Sequence, residues 1–82
     1  MNDKLNAMTT NHETFWFSNH WGASVVKDEP AAYCKEGFPY EIAVINRHGQ
    51  IDYSTPLTND VLGYLTQGQA VAALEAIESF AA

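Results

Sequence analysis

Cys34, His12, His20 and His48 are the residues of this chain best suited to chemistry, because a thiolate activated by a nearby base is a nucleophile and imidazole and thiolate are preferred ligands of zinc and related metals. Their spacing fits no metal module, and Cys34 has neither a third, orienting residue nor a nucleophile signature around it. Glu41, Asp52 and Asp60 are the candidate acid/base carboxylates. The strand pairing argued below sets Glu41 and Asp52 on opposite faces of a sheet, which keeps them apart. No phosphate-cradling Gly-rich loop, Cys-x-x-Cys or His-Glu-x-x-His occurs. The expectation is a protein that is not an enzyme and that uses no metal or other cofactor.

A second set of residues suits recognition. His20, Trp21, Arg47 and His48 are the inserted residues of two Asn-x-x-Gly signals, Asn19 to Gly22 and Asn46 to Gly49. Asn favours the first position of a type I turn, and Gly takes the left-handed position of the bulge that closes a hairpin around it. Tryptophan and arginine are over-represented at binding hot spots, and turns expose them. His20, Trp21, Arg47 and His48 are therefore the expected partner-binding residues. The rival reading has Trp21 folded back over the core and Arg47 merely solvated.

These turns require strands on either side. Thr14-Phe15-Trp16-Phe17-Ser18 and Ala23-Ser24-Val25-Val26-Lys27 flank the first; Tyr40-Glu41-Ile42-Ala43-Val44-Ile45 and Ile51-Asp52-Tyr53-Ser54-Thr55 flank the second. A bulged hairpin pairs Phe17 with Val25, Trp16 with Val26, Ile45 with Ile51 and Ala43 with Tyr53. The Ala43 and Ile45 face is the expected core, leaving Trp16, Val26, Tyr40, Ile42 and Val44 on the other. The segment from Asp28 to Pro39 holds Pro30, Gly37 and Pro39 and reads as the connection between hairpins. Thr58 or Asn59 can cap a short turn through Asp60-Val61-Leu62-Gly63. Thr66 and Gln69 form a capping box, followed by an apolar stripe of Ala70, Ala73, Leu74, Ile77 and Phe80 or Ala81. The expected fold is α+β, a four-stranded, mainly antiparallel sheet of two β-hairpins with a C-terminal helix packed on one face. Residues 1–12 read as a mobile N-terminal extension without core residues, and residues 13–82 as a single domain.

With 82 residues there is one small core. Hydrophobic residues at 46% and charged residues at 17% exclude a disordered chain. The net charge of -6 opposes direct binding to a phosphate backbone and instead complements a basic protein surface. A lone cysteine suits a reducing cytoplasm, and neither a signal peptide nor a membrane-spanning stretch is legible.

Trp21-Gly22-Ala23-Ser24-Val25-Val26, Glu41-Ile42-Ala43-Val44-Ile45, the run from Thr55 to Thr66 and the closing Ala-Leu-Glu-Ala-Ile-Glu helix resemble a group of small phage and prophage proteins of unassigned function, over about residues 15–80. The resemblance implies a genomic setting and supplies no catalytic residues. By size and acidity the chain is similar to anti-CRISPR proteins, which act by binding a host protein. The expected function is thus inhibition of a host protein or protein complex, of the kind found in defence systems, in the host cytoplasm. The alternative is a self-associating structural or accessory phage protein, such as a homodimer.

Overall fold

Short β-branched and aromatic runs form β1 (His12–Trp16), β2 (Gly22–Lys27), β3 (Tyr40–Ile45) and β4 (Leu62–Leu65), preceded by α1 (Asn2–Asn6) and followed by α2 (Gln67–Glu78). The computed structural model describes residues 2–55 and 61–81. The strands lie in the order β1-β2-β3-β4, each antiparallel to the next, and α2 packs on β2, β3 and β4. This is the α+β arrangement read from the sequence.

The capping box starts α2 as expected. Gln69 N donates to Thr66 Oγ1 at 3.2 Å, and Thr66 N donates to Gln69 Oε1 at 2.9 Å. Ala70, Ala73, Leu74 and Ile77 are buried, in the stripe that helical spacing required.

Three expectations are overturned. The fourth strand is not Ile51 to Thr55. Ile51 makes a single bridge to Ile45, Asp52 N donates to Val44 O at 2.8 Å, and the Asp52 carboxylate then accepts from both the backbone N–H and the hydroxyl of Ser54. That local turn competes with the ladder and leads the chain away. Leu62 to Leu65 occupies the vacated edge, where Leu62 and Leu65 pack against the core while Tyr53 stays exposed. The Ala43 to Tyr53 pair does not form. The expected cap at Thr58 or Asn59 lies outside the described residues.

The core face is also reversed. Ala23, Val25, Tyr40, Ile42 and Val44 join Leu74 and Ile77 beneath the helix, while the register places Trp16 and Val26 on the opposite face with Ala43 and Ile45. Part of that second face is covered by the connection between β2 and β3. Tyr33 N donates to the Glu41 carboxylate at 2.8 Å, the Tyr33 side chain packs on Gly63, and Cys34 Sγ lies 4.0 Å from Val26 O.

Finally, the N-terminal segment does contribute to the core. Leu5 of α1 is fully buried, Met8 packs beside it, and Gln67 of α2 donates to Asn2 and Asn6. An isolated leucine in a polar stretch carries no periodicity, so its burial leaves no local signal.

Candidate partner-binding surface

Both turns stand at one end of the sheet, since Gly22 pairs with Ile45 and the two turns lead out of that rung. The second turn follows the Asn-x-x-Gly expectation. Gly49 N donates to Asn46 O, Asn46 N donates to Gln50 O, and Gly49 sits at φ 78°. The Asn46 side-chain oxygen accepts from His48 N at 3.0 Å and Gln50 N at 3.1 Å, fixing the loop that carries Arg47 and His48 into solvent.

The first turn departs from it by two residues. His20 N donates to Phe17 O at 3.1 Å and Phe17 N donates to Trp21 O at 2.9 Å, so the turn spans Phe17 to His20 and His20, not Gly22, takes the left-handed position at φ 69°. Trp16 accordingly pairs with Gly22, and Val25 with Glu13 rather than Phe17. The physical reason is Asn19. Its Nδ2 lies 2.9 to 3.1 Å from the carbonyl oxygens of Ile77, Glu78 and Phe80, tying the first turn to the end of α2 and the segment that follows it. Its Oδ1 accepts from Trp21 N at 3.1 Å.

Of the sequence-selected residues, His20, Arg47 and His48 are exposed together at this end. Trp21 is half-buried and engaged within the chain. Its Nε1 donates to Ala81 O at 2.9 Å, and its ring meets Phe80 edge to face at 5.4 Å. With Phe80, Ser79, Ala81, Ser54 and Thr55 it lines a groove of about 490 Å³.

Two further residues adjoin the turns, Trp16 from the face expected to lie opposite the core and Ile51 from the expected core face. The rung directly beneath the turns runs Trp16, Gly22, Ile45, Ile51 across four chain segments. Trp16 is 50% exposed and Ile51 46% exposed, whereas Gly22 and Ile45 between them are buried. A Cβ on Gly22 would stand 2.8 Å from the Trp16 ring and 2.8 Å from Phe15 O, so the missing side chain is what lets the indole approach β2 this closely. The signal available in the sequence was an aromatic next to a turn glycine, and it is decipherable only with the correct register.

Among the described residues no group of three or more His, Cys, Asp or Glu side chains is placed to hold a metal ion. His12 Nε2 shares a 2.7 Å hydrogen bond with Ser24 Oγ, and Cys34 lies in the β2 to β3 connection, at the end of the sheet away from His20 and His48. Glu41 is held by Tyr33 and Asp52 by Ser54, while Asp60 lies outside the described residues. The two bonds from Ser54, first its hydroxyl and then its backbone N–H, hold the Asp52 carboxyl below the usual carboxylate range. No helix among the described residues is long and apolar enough to cross a membrane. No family model, curated protein or solved structure matches the chain.

Proposed function

We propose that this chain is a non-enzymatic phage or prophage protein that binds a host protein, and inhibits it, through the turn-bearing end of its sheet. The observation that carries this reading is the adjacency of exposed Trp16 and Ile51 to exposed His20, Arg47 and His48. Large apolar groups beside a polar, chargeable rim have the composition of an interaction patch. The phage setting comes from the sequence resemblance, and a defence component is the target class that small acidic inhibitors suggest. The acidic surface away from Arg47 supports long-range approach to a basic host protein or complex, since complementary charge raises the association rate.

Tagged wild-type protein and an Arg47→Glu/Ile51→Lys variant, each incubated in host lysate, test the reading. The wild type retains one host protein in stoichiometric amount, and the variant loses it by about tenfold or more. No stoichiometric partner, or equal retention by the variant, would contradict the proposal.

A further inference from the structure

The two edges of the sheet are treated differently. At β4 the register shifts between Tyr40 and Ile42, Tyr64 adopts φ 54°, and Tyr64 N is used by Tyr33 O at 2.7 Å. A bulged, short, locally bonded edge resists further strand pairing. β1 lacks the bulge and the left-handed residue. Its register with β2 is unbroken from His12 to Trp16, and it contains no proline, glycine or lysine.

The direction of its free backbone groups follows from the ladder. Lys27 N donates to Asn11 O and Phe17 N donates to Trp21 O, so the odd-numbered residues of β1 bond inward to β2. The N–H and C=O groups of His12, Thr14 and Trp16 therefore point outward. Among the described residues, the contact made on that side is from Thr10 Oγ1 to His12 O at 2.8 Å.

From these observations we infer that the outer edge of β1 pairs antiparallel with the β1 edge of a second copy of this chain, about a two-fold axis at Thr14. In that register the outward groups at positions 12, 14 and 16 are the set that narrow hydrogen-bonded pairs need, giving about six backbone bonds. His12 stands opposite the second copy's Trp16, and Glu13 opposite the second copy's Phe15. Lys4 Nζ lies 5.9 Å from the Phe15 ring centroid, so each Glu13 carboxylate meets the Lys4 ammonium of the other copy. This self-matching charge selects a second copy over an unrelated extended segment. The product is one continuous sheet, with both α2 helices on the same face and the two turn-bearing ends directed oppositely. It stands independently of the host-binding reading.

Sedimentation of the full chain across micromolar and submillimolar concentrations tests the inference. The wild type shows a concentration-dependent species of twice 9.1 kDa. Thr14→Pro removes an outward N–H that the chain's own ladder does not use, and gives a monomer with an unchanged far-ultraviolet spectrum. Glu13→Lys weakens the dimer by about tenfold, and the exchanged pair Lys4→Glu/Glu13→Lys restores it, which keeps the test decisive should the proline variant unfold. A strictly monomeric wild type overturns the inference, as does a dimer insensitive to the charge change. A monomer whose β1 edge captures an extended peptide of unrelated sequence would assign that edge elsewhere and equally overturn it.

Discussion

Asn19 and Asn46 open the same four-residue pattern and do different things. Asn46 folds its own turn, whereas Asn19 reaches residues 58 to 61 positions away at the end of α2. Local spacing makes both turns legible and leaves this difference invisible, because the competing partner is distant in sequence. Asn19→Ala should lower stability by about 1–2 kcal/mol through loss of the bonds that tie the first turn to the end of α2, and should lower the melting temperature by several degrees in a calorimetric scan. Asn46→Ala removes the bonds that fold the second turn and also the Asn46 side-chain bond that helps hold the Asp52 carboxyl low. Asp52 offers a pH-dependent readout. Its carboxyl is held low in the folded chain, so the turn it makes with Ser54 is fully formed above the unfolded value of about 3.9 and is lost as pH falls through the lower folded value. The Ser54 amide resonance should shift over that acidic window, and Asp52→Asn should abolish the titration.

At the scale of elements, α2 was readable almost residue by residue, because capping chemistry and the apolar stripe are both local. Thr66→Ala should cost about 1 kcal/mol, measured by denaturant unfolding, with an unchanged dependence on denaturant concentration. Strands were legible in existence and less so in partner. Ile51-Asp52-Tyr53-Ser54-Thr55 alternates as a strand should, yet the Asp52 side chain bends it after one bridge. Leu62-Gly63-Tyr64-Leu65 carries Gly63 and a left-handed Tyr64, features that argue against a strand, and nevertheless closes the sheet because Leu62 and Leu65 reach the core. A local side-chain bond ended the first strand, and tertiary burial outweighed local preference in the second. The reversed core face has the same origin, for alternation gives two faces and does not say which one the helix covers.

Across the whole molecule, residues far apart in sequence supply what holds the ends together. Leu5 fills the core beside α2, Asn19 closes the helix end, and Trp21 packs on Phe80. Leu5→Ala should destabilise the chain by about 2–5 kcal/mol in chemical unfolding, a large share of what so small a domain possesses. These contacts leave His20, Arg47 and His48 exposed above the Trp16 and Ile51 rung. Of the candidate surface, the turn residues were therefore legible from the sequence, Trp21 is spent on the chain's own C-terminal segment, and Trp16 and Ile51 needed the register. The most direct measurement is photo-crosslinking in host cells, with a photoreactive residue at His48 and, in a separate protein, at Glu75 on the exposed side of α2. The account requires one host protein to be captured from His48 and not from Glu75. Capture from Glu75 alone, or from neither position, would contradict binding through the turn-bearing end.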